Sequence, residues 1–142
     1  MAIVYRKKLE EAFWKLMDMA DEWGIAVSFI DARVDIRMDD GLQGCFECTT
    51  NTVWINKRVE DKLTIRHIFT LAHELRHVYQ YRTRMYPSYW LCMLCVYTGE
   101  NPVHVAAVEA DADQWAKEFM IKNKLPVPIE EKISKEDDLE QP

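Results

Sequence analysis

The sequence predicts an α+β domain in which a small, mostly antiparallel sheet packs against an N-terminal helix, a helix carrying His73-Glu74-Leu75-Arg76-His77, and a later helix carrying Glu109 and Asp113. Two observations predict it. Apolar residues recur with helical period in three segments, and between residues 25 and 56 they fall instead into short alternating runs separated by turn residues. The 142 residues, 49% of them hydrophobic, can bury one core. The expected organisation is a single domain over residues 1–125 with an acidic, flexible tail over residues 126–142.

The first helix is marked by Leu9, Ala12, Phe13, Leu16, Met17 and Ala20, which share one face. Residues 25–30 and 33–38 read as strands around an Asp31-Ala32 turn, and Asp39-Asp40-Gly41 reads as a second turn. Residues 43–49 and 52–56 read as two further strands about a Thr50-Asn51 corner, with the last strand, near residues 53–56, expected at an edge of the sheet. Between residues 63 and 81, Ile65, Ile68, Phe69, Ala72, Leu75 and Tyr79 follow helical spacing and define a core-facing helix. A short apolar helix is expected near residues 88–97. Residues 102–122 form the last helix, and the Pro-Val-Pro spacing after Leu125 ends regular structure.

The segment His73-Glu74-Leu75-Arg76-His77 is an HExxH motif. Two histidines four residues apart lie on one helical face, where both imidazoles reach a single metal ion. The carboxylate beside the first histidine then sits near the metal's water and can take its proton. Here His73 and His77 fall beside the apolar stripe, on a face shared with Arg66, Thr70 and Gln80, so they look into a cleft and not outward from a surface helix.

The last helix supplies carboxylates. Glu109 and Asp113 share a narrow face with Val105, Ala112, Ala116 and Met120, whereas Asp111, Gln114, Glu118 and Lys122 lie on the opposite, solvent-like side. Carboxylates in an apolar stripe are costly unless a cation or hydrogen-bond donors meet them. Hydrolytic zinc is commonly held by two His and one Glu, and a ligating imidazole usually gives its other N–H to a carboxylate. Glu109 is therefore expected as third ligand and Asp113 as the carboxylate that orients His73 or His77. One Zn²⁺ ion is the expected cofactor, with Glu74 as catalytic base.

Other candidates carry less. Cys45/Cys48 and Cys92/Cys95 form two CxxC pairs, a spacing used by structural zinc sites. Strand alternation puts Cys45 and Cys48 on opposite faces and Cys92 and Cys95 lie in an apolar run, so core packing of free thiols is expected, without a disulfide. His67 points roughly 120° from His73 around the helix and is expected to be a satisfied, partly exposed residue. His104 is a candidate for stabilising an oxyanion, as are Tyr79, Tyr81, Tyr86 and Tyr89.

Residues 52–77 (TVWINKRVEDKLTIRHIFTLAHELRH) resemble the ImmA/IrrE-type metallopeptidases, with a strand ending in Ile-Asn followed by a Phe-Thr-Leu-Ala-His-Glu-Leu helix. The run from Glu109 to Ala116 is similar to that family's Glu-x-x-Ala-Asn-x-Phe-Ala segment, with Asp113 in place of Asn and Trp115 in place of Phe. The opening helix followed by Trp23-Gly24-Ile25-Ala26-Val27 fits as well. Arg76 stands where that family usually has Gly, putting a cation near the cleft rim, and residues 86–97 have no counterpart. The resemblance implies a zinc endopeptidase whose substrate is a regulatory protein.

The formal charge is −6, of which residues 126–142 contribute six acids against two lysines. That balance argues against nucleic acid as the main partner and leaves a protein or peptide substrate. No apolar stretch is long enough for a signal peptide or a membrane span, so a cytoplasmic location is expected. Two other functions fit part of the pattern. A catalytically quiet, zinc-stabilised binding module would not need Glu74. A deformylase-like hydrolase would take Cys45, after Gly44, as third ligand and would leave Glu109 and Asp113 without a role.

Overall fold

A computed structural model describes residues 2–34, 43–57, 62–86 and 102–128. These residues form α1 (Ala2–Glu22), β1 (Ala26–Ile30), β2 (Gly44–Glu47), β3 (Thr52–Asn56), α2 (Ile65–Thr83) and α3 (Pro102–Lys122). The fold class is α+β. Residues 35–42, the expected helix at 88–97 and the chain beyond residue 128 lie outside the described residues.

Helix α1 buries Leu9, Ala12, Leu16 and Ala20, the stripe that the periodicity marks. Its end is set by Gly24 at φ 70°, where the Ile25 N–H donates to the Ala20 carbonyl at 2.8 Å. A left-handed residue at this point lets the chain turn back onto the orphan carbonyls, and only glycine adopts it without crowding its Cβ. The chain then enters β1 directly.

The sheet has the order β1-β3-β2. Its β2–β3 pair is antiparallel, with Phe46 opposite Val53. Its β1–β3 pair is parallel, with Val27 opposite Val53 and Phe29 opposite Ile55. Phe46, Val53 and Ile55 are buried against the helices, together with partly buried Val27 and Phe29. Cys45 and Trp54 pack on the other face with Ile30 and Ala32.

Two expectations are corrected here. In this mixed sheet β3 is the centre and not the edge; among the described residues the edges are β1 and β2. The β2–β3 hairpin is local and legible from its turn, but β1 pairs with β3 across more than twenty residues, and parallel pairing of that kind leaves no local signal. In place of a strand starting at residue 33 the chain turns, with Arg33 Nε and Nη2 donating to the Asp31 carboxylate at 3.0 and 2.8 Å.

Helix α2 starts with a capping box. The Thr64 hydroxyl accepts from the His67 N–H at 3.3 Å, and His67 Nδ1 accepts from the Thr64 N–H at 3.2 Å. His67 thus occupies the place usually taken by Glu or Gln. It is buried, not partly exposed, with its ring edge-on to Phe29. Burial, with Arg66 and Lys57 adding to it, pushes its pKa down to about 4.

This arrangement makes α2 acid-sensitive. The folded pKa lies below the unfolded one, so the unfolded chain takes up the proton first as pH falls. The stabilisation is present above pH 6.5 and is lost between pH 6.5 and 4, by as much as about 3 kcal/mol. His67→Gln keeps an acceptor for the Thr64 N–H and removes the titration. Urea unfolding across this pH range should show a flatter profile in His67→Gln; an unchanged slope would contradict the assignment.

Candidate metal centre

Helix α3 packs on α2, burying Val108, Ala112, Ala116 and Met120. The two alanines in this stripe allow close approach of the two helices, so side chains flanking the stripe meet those flanking the core face of α2. That brings Glu109 and Asp113 to His73 and His77.

The two histidines face each other through Nε2, at 3.1 Å. Glu109 spans them, with Oε1 at 2.9 Å from His73 Nε2 and Oε2 at 3.3 Å from His77 Nε2. Among the described residues, His73, His77 and Glu109 form a group that could hold a metal ion. The spacing fits one: a tetrahedral ion bound at about 2.0–2.1 Å keeps neighbouring ligand atoms about 3.3 Å apart. Two imidazoles and a carboxylate are also a donor set suited to zinc-like ions.

The outer nitrogens are both engaged. His73 Nδ1 lies 2.8 Å from Asp113 Oδ1, the partnership expected for Asp113, and His77 Nδ1 lies 2.8 Å from Gln80 Oε1. The sequence puts Gln80 on the histidine face, three residues beyond His77, but gives it no role. That i, i+3 spacing is the signal that would have found it.

Charges in the cluster are strongly coupled. Burial disfavours the imidazolium of His73, yet its bonds to Asp113 and Glu109 outweigh burial and push its pKa up to about 10. His77 also moves up, since Glu109 and Glu74 outweigh its burial. Glu109 moves well below the usual carboxylate range despite its burial, because both imidazoles bond to it. Carboxylates that favour positive charge on both imidazoles this strongly also favour a divalent cation between them.

Glu74 is buried on α2 and stands outside the converging three. Burial raises its pKa, with His77 and His73 opposing the shift. A carboxyl whose neutral form is favoured by burial suits a group that takes up and returns a proton during catalysis. The strand β2 reaches it through Gly44: a Cβ there would lie 2.6 Å from Thr70 Cγ2 and 3.2 Å from Glu74 Cγ. Only a glycine lets this strand rest against the Glu74 stem.

Several residues sit differently from expectation. Asp111 is not on a solvent face; its carboxylate accepts from Arg76 Nε at 2.7 Å and Nη2 at 3.2 Å. The Arg76 guanidinium also lies 4.6 Å over the Tyr79 ring, so this cation is tied down between α2 and α3. Cys45 and Cys48 are disulfide-bonded and not free thiols. Cys45 packs with Ile30, Ala32 and Trp54, and Cys48, in the turn after β2, packs against the main core; their spacing says nothing about covalent partners. An oxidised Cys45 is not a metal ligand, which removes the third ligand of the deformylase-like alternative. Tyr81 packs against Phe46 at 5.9 Å, in the core. The His104 side chain, Tyr89, Cys92 and Cys95 lie outside the described residues.

Comparison with known families adds an independent observation. Residues 6–119 match the model of DUF6782, described as a putative metallopeptidase family. The chain belongs to this family. Its DUF6782 match runs from α1 into α3 and takes in His73, Glu74, His77, Glu109 and Asp113. No curated protein and no solved structure matches the chain. No helix among the described residues is long and apolar enough to cross a membrane.

Proposed function

We propose that this DUF6782 member is a zinc-dependent endopeptidase that cleaves a specific regulatory protein in the cytoplasm. His73, His77 and Glu109 are its metal ligands, Glu74 its general base, and Asp113 the carboxylate that orients His73. The observation that carries this reading is the convergence of the three ligand groups at the separations a tetrahedral ion requires, beside a buried Glu74. The resemblance to ImmA/IrrE-type enzymes supports a protein substrate of the regulatory kind.

A divalent cation held by these ligands would polarise the scissile carbonyl and acidify the attacking water. Glu74 takes the proton of that water on its carboxylate and returns it to the leaving amine. Its burial supports this exchange, because a carboxyl with a raised pKa holds the proton between the two transfers. Asp113 keeps His73 Nδ1 protonated, so that Nε2 is free to ligate. Since β2 is an edge strand and Gly44 lies against Glu74, an extended peptide added to that edge would pass the base. A quiet binding module would have no use for a buried base at this point.

The substrate can be sought by mapping new protein N-termini in a lysate of the source cell treated with the purified chain. A small set of cleavages should appear, vanish with chelator and return with added zinc. Cleavages indifferent to chelator, or none at all, would contradict the proposal.

A further inference from the structure

Behind His77, on the side away from the ligand cluster, Gln80 is completely buried. Its Nε2 donates to the Val108 carbonyl at 3.0 Å and to Asp111 Oδ2 at 2.8 Å. Neither of these groups has a hydrogen to offer: one is a carbonyl, and the other is a carboxylate whose two oxygens accept from Arg76 Nε and Nη2. Turning the amide around would set its oxygen against two acceptors, so its orientation is fixed.

The amide oxygen is thereby aimed at His77 Nδ1, 2.8 Å away. An amide oxygen only accepts, so Nδ1 carries the hydrogen and Nε2 of the neutral ring carries the lone pair. Nε2 is the atom that faces His73 and Glu109. The two histidines thus reach the same tautomer by different means: Asp113, an anion, holds His73, and Gln80, a neutral amide, holds His77.

We propose that Gln80 is a positioning residue that fixes the tautomer and ring rotation of His77 so that Nε2 is a preformed metal ligand, with Val108, Asp111 and Arg76 holding the Gln80 amide in that sense. The proposal rests on the metal-site reading above. It adds a second helix contact to the support of the site, because Val108 and Asp111 belong to α3. The helix that supplies Glu109 therefore also sets the orientation of a ligand on α2.

Two variants of the full chain separate this role from simple packing. Gln80→Leu keeps most of the volume and loses the acceptor, and its zinc affinity should fall about 10–100-fold. Gln80→Glu keeps an acceptor at His77 and loses both donations to α3; its melting temperature should fall while zinc affinity stays within about threefold of wild type, since an outer-shell carboxylate supports a ligating imidazole at least as well as an amide. A purely structural Gln80 would lower the melting temperature in both variants and change zinc affinity in neither.

Nitrogen-15 NMR of the zinc-loaded wild type gives a direct reading that does not depend on either variant folding. The His77 proton should be on Nδ1 and its metal-bound nitrogen should be Nε2. The reverse assignment, or wild-type zinc affinity in Gln80→Leu, overturns the proposal while leaving the metal site intact. A wild-type chain that takes up no zinc overturns the metal-site reading and this inference with it.

Discussion

Replacing Glu109 by Ala should empty the site. The carboxylate is one of three ligand groups, and removing one should cost on the order of 4 kcal/mol of zinc binding, about a thousandfold in affinity. Asp113→Asn should cost only about 10–100-fold, because it changes how His73 is held without removing a ligand. The geometry behind this difference is plain: Glu109 bonds to both Nε2 atoms, whereas Asp113 bonds to His73 Nδ1 on the outer side. Zinc titrations against a chromophoric chelator measure both. An empty site in Asp113→Asn beside a filled one in Glu109→Ala would reverse the assigned roles.

Glu74→Gln should leave the zinc and the fold in place and reduce turnover by at least ~10²-fold. Glutamine has nearly the shape of the buried carboxyl it replaces, leaves the stem beside Gly44 unchanged, and cannot take up a proton. Loss of the base should therefore appear in kcat, with substrate binding little changed. Kinetics on a substrate identified from the cleavage map would decide it, and wild-type rates in Glu74→Gln would remove Glu74 from the chemistry.

What the sequence made legible was mostly local. The HExxH spacing, the apolar stripes of α1 and α2 and the placement of Glu109 and Asp113 on one face of α3 all follow from helical period, and the structure brings those residues together. Residues paired over long separations were not legible. The position of β3 between β1 and β2 depends on a parallel contact without local signature. The oxidation of Cys45 and Cys48 likewise leaves no trace in the residue pattern.

Asp111 shows a subtler failure. A helical wheel assigns it to solvent because it looks away from the buried stripe of α3, but the wheel of one helix cannot see that Arg76 and Gln80 of α2 wait on that side. For the same reason Gln80 passed as one polar residue on a cleft face. Its role is visible only once Val108 and Asp111 are known to occupy both of its amide hydrogens.

The central claim is that α2 and α3 together hold one metal ion through His73, His77 and Glu109. Elemental analysis of the protein purified without added metal, alongside His73→Ala and His77→Ala, tests it most directly. About one zinc per wild-type chain should be found, and it should be missing from both variants together with part of the thermal stability, since a metal that binds only the folded chain stabilises it. Full zinc stoichiometry in both His73→Ala and His77→Ala, or a wild-type chain that takes up no divalent metal, would contradict the account.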